Sequence, residues 1–180
     1  MWPILIPVAL VGAGVVIYNG LVKSRVQVDG AWADIDVQLK RRHDLVPNIV
    51  ETVKGYAGHE RETLEAVVSA RSAAMSAQGP VQQGQAENML TGALNSLFAL
   101  SEAYPDLKAA GNFEDLQHTL KELETSIQQA RRYYNAVVRD YNTKIAQVPA
   151  NLLANSFNFK ARDFFEIDEG EDEVPTVSFD

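Results

Sequence analysis

Apolar residues recur every three or four positions along most of this chain, the spacing that places side chains on one face of an α-helix. The first regular series predicts a helix over residues 24–55 with a buried seam made of Val28, Trp32, Ile35, Leu39, Val46, Ile49, Val53 and Tyr56. Pro47 removes one backbone donor inside this helix, so we expect a kink or a local break there. Gly55 and Gly58 weaken the helix further, and we expect the chain to reverse direction near them.

Three further helices are predicted after this reversal. Two short ones cover residues 59–77 and about 86–104, and the polar residues 78–85, with two glycines and a proline, are predicted to form a loop between them. The last helix ends at Pro149 and carries the most regular seam of the chain: Phe113, Leu116, Leu120, Leu123, Ile127, Ala130, Tyr134, Val137, Tyr141 and Val148. Helices in the order long, short, short and long predict an all-α fold with an antiparallel up-and-down four-helix bundle.

The N-terminal stretch from Met1 to Val22 contains no charged residue. Because about twenty helical residues span the roughly 30 Å hydrocarbon core of a bilayer, we expect a single transmembrane helix here. A cleaved signal peptide is the alternative, but no basic residue precedes the apolar run. Lys23 and Arg25 follow it, so the positive-inside rule predicts the N terminus outside and the bundle in the cytoplasm, at the inner membrane. Five positions represent the predicted span: Trp2, Ile6, Leu10, Gly14 and Ile17.

The chain after Pro149 changes composition twice. Residues 151–165 are rich in Leu and Phe, and we expect them to clamp onto the bundle by burying aromatic rings, with an exposed patch for a partner or membrane interface as the alternative. Residues 166–180 carry seven acidic residues and no basic one, which predicts a disordered tail. The predicted domains are therefore an anchor over residues 1–22, a bundle over residues 23–165 and this tail. Three apolar positions of the tail are candidate partner-binding residues: Val174, Val177 and Phe179.

Charge and motifs exclude several classes of function. The net charge is -8, but removing the tail's seven acidic residues from the 24 in the chain leaves 17 against 16 basic residues. Nucleic-acid binding is not expected, because phosphate recognition needs a net basic surface. The chain has no cysteine, and its His59-Glu60 pair lacks the second histidine of a zinc-protease motif. We expect no enzymatic activity, no cofactor, no metal and no small-molecule substrate.

Several polar residues interrupt the predicted seams or flank them, where such groups tend to fix the register of paired helices. Arg42 should meet an acidic residue of a facing helix, because an unpaired buried charge costs several kcal/mol. Its candidate partners are Glu51, Glu102 and Glu124. The full set of candidate register positions is Arg42, Tyr134, Asn135, Tyr141 and Asn142.

The segment IDVQLKRRHDLVPN, residues 35–48, resembles the signature of the LemA family of bacterial membrane-anchored helical proteins. Further matching motifs follow along nearly the whole chain: Tyr18-Asn19, Ala31-Trp32, Val53-Lys54-Gly55-Tyr56, Ala70-Arg71, Glu102-Ala103-Tyr104-Pro105-Asp106-Leu107-Lys108, Tyr134-Asn135, Tyr141-Asn142 and Pro149. The sequence departs from the family pattern at Val26, Leu123 and Thr125, where polar residues are expected. The resemblance implies a single membrane anchor followed by a helical bundle, and no established enzymatic activity.

Two functional hypotheses follow. The first is a non-enzymatic scaffold or adaptor, held at the bilayer by its anchor, that self-associates or recruits other membrane proteins. The run Gly12-Ala13-Gly14 permits close helix contact and favours self-association into a homo-oligomer. The alternative is an accessory or regulatory subunit of a membrane enzyme complex such as a quality-control protease, which the resemblance to LemA-like proteins suggests.

Overall fold

The computed structural model describes the backbone of residues 2–166 and the side chains of residue 6 and residues 8–166. Over these residues the chain is all helical, without a β-strand, in agreement with the predicted all-α class. The helices are α1 (Trp2–Ala57), α2 (Arg61–Ser76), α3 (Gly79–Ser101), α4 (Pro105–Lys108), α5 (Gly111–Ala146) and α6 (Ala150–Ser156). Two short helices, α4 and α6, therefore accompany the four that the apolar pattern predicts.

The predicted transmembrane anchor over residues 1–22 is wrong. In the part of the chain that the structure describes, no helix is both long enough and apolar enough to cross a bilayer.

Helix boundaries differ from the prediction at both glycine-containing segments. Helix α1 continues through Pro47 and Gly55 and ends at Ala57, inside the interval where the chain was expected to reverse. The predicted loop over residues 78–85 is wrong, because α3 already begins at Gly79. Gly79 adopts a φ of +76°, which a glycine accepts without steric cost, and Pro80 occupies the first turn, where its missing N–H is not needed. Glycine and proline here start a helix instead of interrupting one.

The described residues divide into two compact units. The first unit contains residues up to Arg42 together with Leu120–Phe164. In it α1 and α5 run antiparallel, because partners on α5 move toward its N terminus as α1 advances. Lys144 bonds Ser24, and further along Glu124 pairs with Arg42. Its buried apolar side chains include Leu21, Val28, Ile35, Leu39, Leu123, Ile127, Tyr134, Val138 and Tyr141.

Among the described residues, the second unit contains His43–Thr119, Phe165 and Glu166. It joins the last turns of α1 to α2, α3, α4 and the first turns of α5. The core is made mainly of aliphatic side chains, and one edge-on aromatic pair, Phe98 and Phe113, has ring centroids 6.2 Å apart. Fully buried side chains of this kind each stabilise the fold by about 1.5–3 kcal/mol. They include Val46, Ile49, Val53, Val67, Leu90, Leu94, Leu97, Leu107 and Phe165.

Candidate functional site

The second unit contains a buried carboxylate on α3 that makes several hydrogen bonds. Glu87 is fully buried, and its Oε1 lies 2.7 Å from Nε2 of His43 on α1. The same oxygen accepts a 2.9 Å hydrogen bond from the side-chain amide of Gln83, one turn earlier in α3. That amide also donates to the carbonyl of Ala74 on α2, at 3.0 Å. The carboxylate therefore joins side chains and backbone of three helices.

Arg71 on α2 completes this group by contacting the backbone of α1. Its Nε donates a 2.7 Å hydrogen bond to the carbonyl oxygen of His43. In a regular helix that carbonyl would accept from the amide four residues later, but residue 47 is a proline and has no N–H. The guanidinium thus supplies the donor that Pro47 lacks, which explains why α1 continues through a proline. We call His43, Arg71, Gln83 and Glu87 the buried polar cluster.

Most of the buried polar cluster is shielded from solvent. His43 and Gln83 are each less than a tenth exposed, and the bonds above lie within the protein. In the described residues no group of three or more His, Asp or Glu side chains is arranged to hold a metal ion. Buried polar groups that are mutually hydrogen-bonded fix which helix faces pack together.

Arg42 lies next to the cluster in sequence but belongs to the first unit. Its side chain is 3% exposed, and Nη1 lies 3.4 Å from Oε2 of Glu124 on α5. Of the three acidic residues that the sequence left open as partners, Glu124 is the one that makes this contact. Glu124 is itself only partly exposed, so the pair is shielded from bulk water.

The other predicted register residues on α5 contact the segment after α6. The hydroxyl of Tyr134 donates to the carbonyl of Asp163 at 2.9 Å, and burial raises the pKa of Tyr134 above its ordinary value of 10.0. Asn142 both donates to the carbonyl of Arg162 and accepts from its N–H, each at 2.9 Å. Tyr141 is 1% exposed, and burial likewise raises its pKa. Asn135 is half-buried and is also engaged.

Residues that the sequence did not single out complete this attachment. The Arg162 guanidinium lies 2.8 Å from the Asp29 carboxylate of α1, and Lys144 donates to the carbonyl of Gly20 at 2.8 Å. These pairs are separated by more than a hundred residues, and no spacing rule along the chain connects them. The segment of residues 151–165, predicted to clamp onto the bundle, contacts α1 and α5 through Arg162 and the carbonyl of Asp163, and Phe159 and Phe165 are its buried rings.

The predicted anchor positions have mixed surroundings. Ile6 and Leu10 are 62% and 68% exposed, whereas Gly14 and Ile17 are half-buried. The side chain of Trp2 lies outside the described residues, as do the three tail positions Val174, Val177 and Phe179.

Aromatic and basic side chains meet where α1 passes α6. The ring of Tyr18 lies 4.9 Å from Phe157 and 5.8 Å from Phe159, and the Arg25 guanidinium stacks over Phe159 at 5.1 Å. Beside them an open cavity of ≈ 480 Å³ is lined by residues of α5, α6 and the following segment, including Asn155, Asn158 and Lys160. At this end of the first unit a cavity, exposed apolar side chains and cations adjoin.

These features define a class: an all-α protein whose buried polar groups connect its helices. Within that class the chain belongs to the LemA family, whose profile matches residues 31–179. It is 26% identical to protein LemA of Metamycoplasma hominis, over 84% of this chain and 69% of the relative. It is 24% identical to magnetosome protein MamQ 2 of Paramagnetospirillum magneticum, over 88% and 68%. A magnetosome protein MamQ of Magnetospirillum gryphiswaldense is also 24% identical, over 82% of this chain and 64% of its own length.

Proposed function

We propose that this protein is a membrane-associated, non-enzymatic helical scaffold that acts at the cytoplasmic face of the inner membrane. The observation that carries the proposal is the exposed apolar surface at the start of α1. Six of its side chains are each more than half exposed: Ile6, Val8, Leu10, Val11, Val15 and Val16. A water-exposed aliphatic surface of this density is a contact surface for lipid or for another protein.

The charge pattern favours lipid as the primary contact. Residues 1–22 carry no charge, and Lys23 and Arg25 follow directly. Basic residues beside an apolar segment are attracted to the anionic cytoplasmic leaflet, at about 1 kcal/mol each. Kinship with the LemA and magnetosome proteins also supports association with membranes.

The interior of the protein supports a scaffold rather than an enzyme. Its buried carboxylate Glu87 is bonded to His43 and Gln83 and is 0% exposed. Rigid helices joined by such contacts present fixed surfaces for partners. Self-association and recruitment of other membrane proteins are the scaffold activities that we propose.

Flotation of the full chain with lipid vesicles tests the membrane contact. We expect the unmodified protein to float with vesicles, and a variant with four serine substitutions at the start of α1 to bind roughly 1,000-fold more weakly, since each aliphatic side chain contributes about 1 kcal/mol or more. Those four substitutions are at Val8, Leu10, Val11 and Val15. Matched control substitutions replace four similarly exposed apolar residues of α2 and α3 and should leave flotation unchanged: Val68, Met75, Val81 and Met89.

Two results would contradict the proposal. Equal flotation of the α1 variant and its control would show that this surface does not contact lipid. Purification of the native protein in a fixed ratio with a membrane protease, with no self-association, would favour the accessory-subunit hypothesis instead.

A further inference from the structure

We propose that the outer surface of α6 and its flanks is a second membrane contact, which binds anionic phospholipid. We call Val148, Leu152 and Phe157 the α6 surface. This inference rests on the proposed membrane association but concerns a different segment of the chain, more than a hundred residues after the start of α1.

The α6 surface is apolar and exposed in a segment that is otherwise anchored. Val148, Leu152 and Phe157 are 79%, 66% and 55% exposed, whereas Ala150 and Ala154 of the same short helix are buried. The helix therefore keeps these small residues inside and presents Leu152 outward, with Val148 before the helix and Phe157 after it also exposed. Removing those three side chains from water would be favourable, and no other part of the first unit covers them.

The α6 surface is continuous with the apolar start of α1. The ring of Phe157 packs edge-on against Tyr18, at 4.9 Å between centroids, and Tyr18 directly follows the exposed apolar residues of α1. Lys144, four residues before Val148, bonds the carbonyl of Gly20. A bilayer that meets the start of α1 up to Tyr18 would therefore reach the α6 surface as well. Tyrosine at this position suits the boundary between apolar and polar layers.

Charge around this surface fits an anionic partner. Five basic residues lie on these segments: Lys23, Arg25, Lys144, Lys160 and Arg162. Arg162 is paired with Asp29, and Lys144 is bonded to Gly20 and Ser24. Lys23 and Lys160 are exposed, and Lys160 lines the open cavity together with the amides of Asn155 and Asn158. Ammonium and amide groups donate hydrogen bonds to phosphate oxygens. A second protein would need a complementary acidic surface, whereas anionic phospholipid supplies both acyl chains and phosphates.

Site-specific fluorescence in the full chain tests the inference, because the chain has no cysteine of its own. A polarity-sensitive dye is attached to single cysteines that replace Leu152, Val11 or, as a control, Val37, a 49% exposed residue of α1 remote from Tyr18. Vesicles of phosphatidylcholine with about a third phosphatidylglycerol should shift the emission at positions 152 and 11 to the blue, and leave position 37 unchanged.

Substitutions provide the second readout. Replacing Val148 and Leu152 with serine should weaken vesicle binding roughly 10- to 100-fold, since two aliphatic side chains lose contact with lipid. Matched serine substitutions at Val37 and Val68, each about half exposed, should have no effect. Replacing Lys23 and Lys160 with glutamine should reduce the preference for phosphatidylglycerol without abolishing binding to it.

The two proposals fail in different ways. If the protein floats and position 11 responds while position 152 does not, the α6 inference is wrong and membrane association stands. If neither position responds and the protein does not float, both are wrong. A response at position 152 that depends on protein concentration without vesicles would show a second copy of the chain on this surface, and would also overturn the lipid assignment.

Discussion

Arg71 donates a hydrogen bond to the one backbone carbonyl of α1 that Pro47 leaves without its helical donor, the carbonyl of His43. A proline inside a helix costs about 3 kcal/mol, partly through this lost bond. Here a side chain of α2 restores the bond at 2.7 Å, so the proline makes α1 depend on α2. The pairing of α1 with α2 is therefore specified at one backbone position, the carbonyl of His43.

Arg71→Met should destabilise the protein by about 1.5–3 kcal/mol, the range for a hydrogen bond with a charged donor. In a Pro47→Ala background the amide of residue 47 can bond to the His43 carbonyl, so the same Arg71 substitution should cost less than about 1 kcal/mol. Urea unfolding of the two single variants and the double variant measures this coupling. Strictly additive costs would show that the arginine does not compensate for the proline.

Glu87→Leu should be among the most destabilising single substitutions, at about 2–5 kcal/mol. It leaves the amide of Gln83 and the ring of His43 buried without their common acceptor. Glu65→Leu, on the exposed side of α2, is the control and should change stability by less than about 0.5 kcal/mol. Similar denaturant midpoints for the two variants would mean that the buried polar cluster contributes nothing to stability.

Gly84 is required by a close backbone approach. A Cβ atom added there would lie 2.1 Å from the carbonyl oxygen of Glu166, a contact that forces the following segment away from α3. Gly84→Ala should therefore cost about 1–3 kcal/mol and increase hydrogen exchange around Phe165. Gly92→Ala in the same helix meets no atom within 4 Å and should stabilise the protein by about 0.5–1 kcal/mol. Equal effects of both substitutions would refute the close approach.

High pH should weaken the protein through its buried phenols. Burial raises the pKa of Tyr134 and Tyr141, and the hydrogen bond to Glu60 raises that of Tyr104, relative to the ordinary value of 10.0. The unfolded chain then loses these protons first, so the stability they contribute is complete below about pH 10 and declines as pH rises toward the folded-state values. Unfolding free energies measured between pH 8 and pH 11 check this decline.

Tyr134→Phe supplies the matched test of that pH dependence. The variant should lose about 0.5–1.5 kcal/mol at neutral pH, because its bond to the Asp163 carbonyl is gone, and should decline less steeply above pH 10. Tyr56→Phe, at a 47% exposed position, should follow the unmodified protein. If the unfolding free energy of the Tyr134 variant declined with pH as steeply as that of the unmodified protein, burial of Tyr134 would not be the cause of the decline.

Self-association through the start of α1 remains a prediction from the Gly12-Ala13-Gly14 run. A Cβ at Gly12 or Gly14 would meet no atom within 4 Å, so leucines at both positions should leave the chain folded while they block close helix contact. Light scattering of the detergent-dispersed protein should then change from an oligomer to a monomer. A monomer before substitution would contradict the prediction.

The spacing of apolar residues, every three or four positions, was sufficient to predict the helices and most of their buried faces. Val28, Ile35, Leu39, Val46, Ile49 and Val53 are all buried as the seam requires, because burial of one helix face is encoded locally. Polar positions were harder to interpret. Gln83 falls in the segment 78–85, whose glycines and proline indicate a loop. Glu87 falls in the next predicted helix, where a carboxylate looks like a solvated group until its partners on other helices are known.

The polar partners in the candidate site were equally hard to predict from the sequence. Arg42 could be recognised as buried from its place on the seam, but three acidic partners were equivalent in sequence, and only the antiparallel alignment of α1 with α5 selects Glu124. The sequence carries part of the signal for the donor role of Arg71, because Pro47 leaves the carbonyl of His43, four residues earlier, without its helical donor. Its identity still depends on tertiary packing.

Fractionation of cells that produce the full chain is the most direct test of the central claim, that this protein is a scaffold held at a membrane by the start of α1. We predict that the unmodified protein remains with the membrane fraction after salt washing, and that serine at Val8, Leu10, Val11 and Val15 transfers it to the soluble fraction in folded form. Recovery of the unmodified protein and the variant in the same fraction would contradict the claim.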